Sequence, residues 1–570
     1  MEELLSNKPG KVILLGNEAI VRGALEAGVQ FVSTYPGTPA SEIGNTFFRI
    51  ATKTGVYFEF STNEKVALEA GIGASFSGLK TLVAMKNFGL NVCLDALIPL
   101  AYTGVKGPAV IIVADDPSCH SSAQSEENSR PVAFIAHIPI LEPSDPQECN
   151  DFTKLAFQIS ERYKIPVIIR TTTRVAHQKM PVKLGEWKKN PSLEGRFVKN
   201  SKRFVTLPPR VLEMKKELLE KIEKIQDLSE KSSLNSIYRL AKSIETRTGK
   251  IGIITSGVSY LYVMEALKEL NLELPVLKLG FFYPLPEEKI KKFIKNFKKV
   301  LVVEELEPFL EKEVERLAKK VNCKPSTGAK LGAGLVPHRN EVSGAGLKVI
   351  GKELLPEVGE LKPEFVISAI AKLTGKRYQI PYNKYQIPVP KRSPQLCPGC
   401  PYWLVISAIK KAVDVKKVIF GGEIGCYMLF GNSPVNLQDY LSCMGSSVGI
   451  AHGIKKATKQ KLITFVGDSS FFHSGIPALI NTVFNKSNPL IIILENKTTA
   501  MTGHQPHPGA PVEPNGIKIE EIVKACGVKN LKVIDPINRE EFVKTVKEFL
   551  NKPEVSVIIA RRPCKFVVKK

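Results

Sequence analysis

The sequence lacks a long apolar run and a leader-like start. None of its apolar stretches reaches the roughly 18 residues that a membrane-spanning helix requires. The first residues, MEELLSNKPGKVILLG, begin acidic and lack the basic segment and long apolar stretch of a secretory signal. We therefore expect a cytoplasmic protein that does not associate with a membrane.

Acidic residues are few relative to basic ones. Asp and Glu number 56 against 80 Lys and Arg, which leaves a formal net charge of +24. This excess favours binding of diphosphates, an acidic protein or nucleic acid, but it is also typical of a solvated basic surface. Because the basic residues are spread along the chain and no nucleic-acid-binding motif occurs, we expect no nucleic-acid partner.

Disulfides are not expected, because a cytoplasmic chain keeps its cysteines as thiols or metal ligands. Isolated cysteines are usually small buried apolar residues. The isolated ones here are Cys93, Cys119, Cys149, Cys323, Cys443 and Cys526. Cys397 and Cys400 differ, because they form a CxxC motif within LCPGCP.

The 570 residues are enough for three or four domains of about 100–200 residues each. Short β-rich runs alternate with helical stretches in residues 1–175, 236–345 and 395–570. This alternation predicts parallel sheets covered by helices. Residues 176–235 and 346–394 are rich in Lys, Gly or Pro and predict linkers, the first ending in a surface helix. The predicted fold class is α/β with several domains.

The strongest local motif is Gly467–Asp468–Ser469, followed by Asn496. The apolar strand LITFVGD ends at the Asp, and the apolar strand PLIIILEN ends at the Asn. Both ends lie on the carboxyl edge of a parallel sheet, and their hard oxygen atoms suit Mg²⁺, which clamps a diphosphate. Ordinary strand-end turns are the alternative. The spacing and the intervening helix match the diphosphate motif of thiamine-dependent enzymes.

A thiamine cofactor also needs a carboxylate on a second α/β unit, and Glu64 is the candidate. It follows the predicted strand VYFEFST and opens the Ala- and Gly-rich helix NEKVALEAGIGAS. The alternative is that an acidic residue simply favours the first turn of a helix.

A second set of residues combines the CxxC motif with Cys426 and Cys564. Cys426 follows the predicted strand KVIFGG, and Cys564 follows the strand VSVIIARR. In a parallel sheet these strand ends converge on the side that carries Asp468 and Asn496. Four thiolates there would hold a 4Fe–4S cluster. Zinc, or a CxxC with two unrelated buried thiols, are the alternatives.

Together these motifs resemble the 2-oxoacid:ferredoxin oxidoreductases over essentially the whole chain, in particular the alpha subunits of the indolepyruvate enzymes. The shared motifs occur in the order YPGTP, NEKVALEAGIGAS, MKNFGLN, ADDPSCHSSAQSEENSR, LCPGCP, GGEIGCY, GDSSFFHSG, ENKTTAMTG and ARRPC. The resemblance implies a pyrimidine-binding domain over 1–175, a transketolase C-terminal-like domain over 236–345 and a diphosphate-binding domain over 395–570.

The resemblance also implies roles for individual residues. Glu64 would activate thiamine diphosphate, and Asp468, Asn496 and Thr498 would hold Mg²⁺. Other residues expected at the cofactor are Gly445, Ser446, Ser447, Gly467, Ser469 and Met501. Those expected at one 4Fe–4S cluster are Cys397, Cys400, Cys426 and Cys564. Those expected near the substrate are Tyr35, Thr38, His120, Ser121 and Arg130, the last of which would equally suit a surface ion pair.

The implied activity is oxidative decarboxylation of a 2-oxoacid, such as an aryl pyruvate, to its acyl-coenzyme A. The implied partners are a small beta subunit and a ferredoxin, in a homo- or hetero-oligomer. A non-oxidative thiamine-dependent decarboxylase or synthase is the alternative. A zinc-stabilised assembly subunit without catalytic activity is a further one.

Two features depart from the family pattern. The sequence contains no CxxCxxCxxxC run, which marks the ferredoxin-like domain at the end of the family's subunit. We therefore expect the onward electron carrier to be a separate polypeptide. Tyr402–Trp403 also stands where the family has His-Arg after LCPGCP, which puts the surroundings of the cluster or the substrate contacts in doubt.

Overall fold

The computed structural model describes residues 2–8, 10–189, 194–238, 251–322, 347–378, 394–512 and 515–567. Cys323 and most of the predicted linker segment YQIPYNKYQIPVPKRSP lie outside the described residues. The described chain forms parallel sheets covered by helices, which confirms the predicted fold class. Within these ranges, no helix has both the length and the apolar character needed to cross a membrane.

The first unit is built on strands that are buried on both faces. Its elements are β1 (Lys11–Leu15), α1 (Gly16–Glu26), β2 (Phe31–Thr34), α2 (Ser41–Thr54), β3 (Tyr57–Phe60), α3 (Glu64–Phe76), β4 (Thr81–Lys86), α4 (Asn87–Thr103), β5 (Ala109–Asp115), α5 (Arg130–Ala136), β6 (Ile140–Leu141), α6 (Pro146–Tyr163), β7 (Val167–Thr172), α7 (Thr173–His177) and β8 (Lys179–Lys183). Strands β2 to β7 are parallel to one another, and apolar side chains fill both faces of β5 because helices cover both sides.

Strand β1 is an exception to the predicted parallel sheet. It pairs antiparallel with β8 in a separate two-stranded sheet. Its burial is low, with Ile13 66% exposed, and the two-stranded sheet packs against helices α1 and α6.

The second unit begins after a surface helix, which occupies the predicted position. Its elements, with the preceding helices, are α8 (Ser201–Phe204), α9 (Arg210–Lys231), β9 (Asn235–Tyr238), β10 (Ile251–Thr255), α10 (Ser259–Glu269), β11 (Val276–Leu279), β12 (Phe281–Tyr283), α11 (Glu287–Ile294), β13 (Lys299–Val303), α12 (Phe309–Asn322), β14 (Lys348–Ile350) and α13 (Pro363–Thr374). The sheet order is β14-β13-β10-β11-β9. Strand β12 leaves this sheet and pairs antiparallel with β6, so the two units share one hydrophobic core.

Residues 347–378, which were predicted as part of a linker, complete this second unit. Strand β14 pairs in parallel with β13, and α13 packs against α10. The physical reason is the apolar face of α13, where Val366 and Ile370 are fully buried. The structure thereby places β14 and α13, which fall inside the predicted linker 346–394, in the second unit.

The third unit carries a six-stranded sheet in which every pair is parallel. Its elements are α14 (Tyr402–Ala412), β15 (Val418–Gly422), β16 (Tyr440–Leu441), α15 (Ser446–Ala457), β17 (Lys461–Gly467), α16 (Asp468–Ser470), α17 (Ile476–Phe484), β18 (Leu490–Glu495), α18 (Ile519–Ala525), β19 (Asn530–Ile534), α19 (Arg539–Phe549) and β20 (Ser556–Arg561). The order is β16-β15-β17-β18-β20-β19, with alternate side chains packing into a core on each face. The carboxyl ends of β17, β18 and β20 therefore lie side by side.

Candidate active site

A cavity of about 920 Å³ lies between the first and third units. The first unit contributes Glu64 and Lys86, and the third contributes Asp468 and Asn496. These residues follow or open elements at the carboxyl edges of the two sheets, where ligands bind in folds of this class. The cavity thus brings together the two sets of residues that the sequence assigned to opposite ends of one cofactor.

Glu64 opens helix α3 and is almost fully buried. Asn63 caps this helix, because its Oδ1 accepts a hydrogen bond of 2.8 Å from the backbone N–H of Val66. Oε2 of Glu64 lies 2.7 Å from Nε2 of His473, and the two side chains are 7% and 4% exposed. His473 sits in a π-helical turn, Phe471–Gly475, between α16 and α17. A π-turn within a helix is frequent at functional sites.

Gly89 gives the Glu64 side chain its space. A Cβ at this position would lie 2.5 Å from Cγ of Glu64 and 2.9 Å from Cβ of Met85. Helix α4 therefore approaches the carboxylate more closely than any other residue type would permit.

Tyr35 and Thr38, both predicted near the substrate, line the cavity. The hydroxyl of Tyr35 is 2.8 Å from Oγ of Ser469, and its ring meets the ring of His473 edge-on at 4.8 Å. Burial raises the pKa of Tyr35 far above its usual range, so the hydroxyl stays neutral. These contacts fix the first unit to the third next to Glu64.

The N-terminus of α15 faces the cavity with small residues. Gly445 precedes the helix at φ 78°, and a Cβ there would lie 2.6 Å from the carbonyl carbon of Ser474. Oγ of Ser447 is buried and has no hydrogen-bond partner among the residues described. A helix N-terminus presents backbone N–H groups to an anion, so this end of the cavity suits a diphosphate.

Asp468, Asn496 and Thr498 provide oxygen atoms beside that helix. The carboxylate of Asp468 is 2% exposed and accepts a hydrogen bond of 2.8 Å from the backbone N–H of Lys497. Nε2 of His507 is 3.2 Å from the same carboxylate. A buried carboxylate with amide and hydroxyl oxygens nearby is a donor set that Mg²⁺ prefers, so these residues fit the ion.

Four cysteines meet at a second cavity of about 210 Å³, next to the first. Cys397, Cys400, Cys426 and Cys564 all line it. Burial raises the pKa of the Cys426 thiol to about 12, with a further rise from the other three thiols. The backbone N–H of Cys564 donates to the carbonyl of Asn496 at 2.9 Å, which ties this cavity to the predicted Mg²⁺ residues.

Two inorganic groups are alternatives for the four thiols. A tetrahedral zinc ion with bonds of about 2.3 Å would require sulfur atoms about 3.8 Å apart, whereas the thiolates of a four-iron cluster bind four separate iron atoms. In the part of the chain that the structure describes, no three His, Cys, Asp or Glu side chains form a group that could hold a metal ion.

Tyr402 belongs to the wall between the two cavities. It is 4% exposed and lines both, as do Cys426, Asn496 and Met501. Burial raises the pKa of its hydroxyl well above the usual range. The departure from the family's His-Arg therefore falls between the predicted cluster and the predicted cofactor.

The remaining predicted substrate residues lie elsewhere. His120 is largely exposed, with Nε2 3.5 Å from a carboxylate oxygen of Glu360. Ser121 reaches the cavity only indirectly, because its carbonyl accepts a hydrogen bond from Lys86. Arg130 is buried between the first and second units, where it pairs with Glu142 at 2.6 Å and Glu304 at 2.9 Å.

Three residues of the site were missed at the level of sequence: His473 and Lys86 line the cavity, and Gly89 packs against Glu64. His473 lies in the shared motif GDSSFFHSG, and Lys86 and Gly89 lie in the shared motif MKNFGLN. The motifs were available as a signal, but nothing in them showed that their side chains would meet Glu64 or line the cavity.

Models of three families match the chain. "Pyruvate flavodoxin/ferredoxin oxidoreductase, thiamine diP-bdg" covers residues 22–232, and "Indolepyruvate oxidoreductase domain" covers 242–372. "Thiamine pyrophosphate enzyme, C-terminal TPP binding domain" covers residues 423–560. The second of these family models includes β14 and most of α13, in agreement with the extended second unit.

Curated relatives match over almost the full chain. The indolepyruvate oxidoreductase subunit IorA of Methanothermobacter thermautotrophicus is 42% identical, over 99% of this chain and 88% of its own length. IorA of Pyrococcus horikoshii is 40% identical, over 98% of this chain and 87% of its own length. A solved 2-oxoglutarate:ferredoxin oxidoreductase from Magnetococcus marinus is 18% identical with a TM-score of 0.47, over 64% of this chain and 65% of that one.

Proposed function

Because this chain belongs to the IorA family of thiamine-diphosphate-dependent 2-oxoacid oxidoreductases, we propose that it oxidises an aryl pyruvate such as indolepyruvate to its acyl-coenzyme A. One observation carries the proposal. Glu64 and the Asp468–Asn496–Thr498 group line a single cavity, and that cavity shares a wall with the four cysteines.

Thiamine diphosphate, when bound, supplies the carbanion chemistry that releases carbon dioxide from a 2-oxoacid. Asp468, Asn496 and Thr498 would hold its Mg²⁺, and the N-terminus of α15 would hold its diphosphate. Glu64 would hold a proton at the aminopyrimidine ring. His473 orients the Glu64 carboxyl through the contact between Nε2 and Oε2.

The burial of Glu64 and Asp468 is a second feature that favours the proposed reaction. Glu64 and Asp468 are 5% and 2% exposed, so both carboxyl groups are largely shielded from water. Exclusion of water strengthens electrostatic interactions and protects a reactive intermediate from side reactions.

We propose that one 4Fe–4S cluster accepts the electrons released in this oxidation. Its ligands would be Cys397, Cys400, Cys426 and Cys564. Support comes from their common cavity and from the wall shared with the cofactor cavity. Cys397 is exposed, which gives an acceptor access to this edge. We propose a ferredoxin or a ferredoxin-like subunit as acceptor, and a small beta subunit as the obligate partner, since the relatives are named as subunits.

The test is anaerobic purification with partners retained. The protein is then supplied with coenzyme A, a viologen dye and a series of 2-oxoacids that includes indolepyruvate, phenylpyruvate and pyruvate. The proposal predicts about four irons per chain, absorption near 400 nm and fastest dye reduction with the aryl pyruvates. A colourless protein that releases carbon dioxide without an electron acceptor would instead identify a non-oxidative decarboxylase.

A further inference from the structure

One strong cation faces the large cavity. Among the residues described, Lys86 is the only Lys or Arg that lines it, while Glu64, Glu127 and Asp468 supply negative charge. A partly buried charge is unfavourable unless an opposite charge or a hydrogen-bond acceptor compensates it. A cation in this position is therefore expected either to bind an anion or to destabilise the protein.

The position of Lys86 is fixed by its stem and by a loop. It ends β4 and directly precedes α4. A Cβ on Gly37 would lie 2.8 Å from its Cγ, so glycine at this position makes room for the stem. Its Nζ donates to Oγ of Ser122 at 2.7 Å and to the carbonyl of Ser121 at 3.1 Å.

The ammonium group of Lys86 has one N–H donor without an oxygen partner among the described residues, and Nζ lies 4.7 Å from the centroid of the Phe88 ring, which also lines the cavity. Lysine has three N–H donors, and the loop residues accept two of them. Over the ranges that the structure covers, no carboxylate oxygen lies within the 4.0 Å ion-pair distance of Nζ. The ammonium group is therefore held by two neutral oxygens and by the Phe88 ring, it lines the cavity, and it has no paired anion among the described residues.

The N-terminus of helix α4 lies directly after Lys86. Asn87 begins the 17-residue helix α4 and is 1% exposed, and both polar atoms of its side chain lack hydrogen-bond partners among the described residues. The N-terminus of a long helix carries partial positive charge, which adds to that of Lys86.

The acidic groups near Lys86 do not offset the effect of burial on its pKa. Burial lowers the pKa of Lys86 to about 8, against the opposing influence of Asp116, Glu64, Cys119 and Glu127. A carboxylate held against Nζ would raise the pKa again, because an opposite charge favours the protonated form.

We propose that Lys86 binds the carboxylate of the 2-oxoacid substrate, beside Glu64 and Thr38. This inference rests on the proposed 2-oxoacid activity and adds the residue that recognises the acid group. A carboxylate held by an ammonium gives specificity for 2-oxoacids over neutral carbonyl compounds, because the charge is compensated only by an acid.

Three variants distinguish binding of the substrate carboxylate from an alternative role in which Lys86 only holds the loop of Ser121 and Ser122 in place. Lys86→Met removes the charge and keeps most of the stem, whereas Lys86→Arg keeps a cation. Ser122→Ala removes one hydrogen bond to the loop and leaves the ammonium. The probes are phenylpyruvate and its neutral amide, titrated calorimetrically into thiamine-diphosphate-loaded protein with its partner retained, and thiamine diphosphate itself is titrated as the control.

We expect Lys86→Met to weaken phenylpyruvate binding by about 10- to 100-fold and to leave amide and cofactor binding unchanged. Lys86→Arg should recover part of the loss, and Ser122→Ala should bind both probes like the wild type. Wild-type affinity for phenylpyruvate should fall as the pH rises above about 8, while Lys86→Met should show no such fall.

Equal binding of phenylpyruvate by Lys86→Met and wild type would overturn the inference. So would an equal loss for the amide, or a Ser122→Ala variant that reproduces the Lys86→Met result. A loss confined to thiamine diphosphate would assign Lys86 to the cofactor and also overturn it. If the wild type neither binds nor oxidises any 2-oxoacid, the proposed function itself fails.

Discussion

Glu64 and His473 belong to different α/β units, and their Oε2 and Nε2 atoms lie 2.7 Å apart. The contact joins residues separated by 409 positions and is almost fully buried. A residue of the third unit therefore orients the Glu64 carboxyl, which the proposed cofactor chemistry needs. Glu64 takes this orientation only when the two units are docked correctly.

His473 should act as a positioning residue. His473→Ala removes the hydrogen bond to Glu64, and loss of a bond to a charged group lowers kcat by about 10- to 100-fold. His473→Gln, which retains an amide at a similar reach, should recover part of kcat. KM and thiamine diphosphate affinity should change little in both variants. A change in KM alone, with kcat preserved, would contradict this role.

Gly89 tests whether Glu64 needs the space beside it, and Gly73 provides the control position. Gly89→Ala should lower kcat at least tenfold, because the new Cβ collides with Cγ of Glu64. Gly73→Ala lies in a helix with none of the described atoms within 4 Å of its Cβ. It should leave kcat unchanged and stabilise the helix by about 1 kcal/mol. Steady-state kinetics and thermal melting measure both effects, and identical behaviour of the two variants would refute the steric account.

The fold class and the carboxyl-edge residues could be predicted from the sequence, for a physical reason. Apolar runs such as LITFVGD and PLIIILEN mark strands buried on both faces, and their last residues must share an edge in a parallel sheet. The same argument brought Cys426 and Cys564 towards Asp468, and both now line the cavity next to it.

Contacts between units could not be predicted in this way. No periodicity shows that His473 meets Glu64, because the contact depends on how two sheets dock. Arg130 illustrates the same limit, since a polar motif such as SEENSR does not reveal that its arginine becomes buried against Glu304. Strand β14 has only three residues, too few for a pattern, and its pairing with β13 is a tertiary contact.

Cys564 and Cys443 test the proposed cluster. Cys564→Ser should lower the iron content and change the absorption near 400 nm, because one of four thiolates is lost. Cys443 lines the cofactor cavity but not the cavity of the four cysteines, so Cys443→Ser should retain both iron and spectrum. Unchanged iron in Cys564→Ser would remove this residue from the ligand set.

Arg130 should contribute to stability and not to substrate affinity. Its guanidinium donates to Glu142 and Glu304 and is 2% exposed, so Arg130→Met removes a buried cation from both carboxylates and leaves Arg170, 3.5 Å from Glu142, as the remaining ion pair. Breaking a buried ion pair costs about 3–5 kcal/mol. Thermal melting should show a clearly lower Tm, with KM for the 2-oxoacid unchanged. A raised KM at unchanged Tm would return Arg130 to the substrate site.

The central claim is that Glu64 activates thiamine diphosphate in the cavity between the first and third units. The most direct measurement pairs a thiamine diphosphate titration with turnover of the best 2-oxoacid, for the wild type and Glu64→Gln. The variant should bind the cofactor with similar affinity, because Asp468 and α15 are untouched, while turnover falls by about 10²- to 10⁴-fold. Turnover at the wild-type rate in Glu64→Gln would contradict the claim.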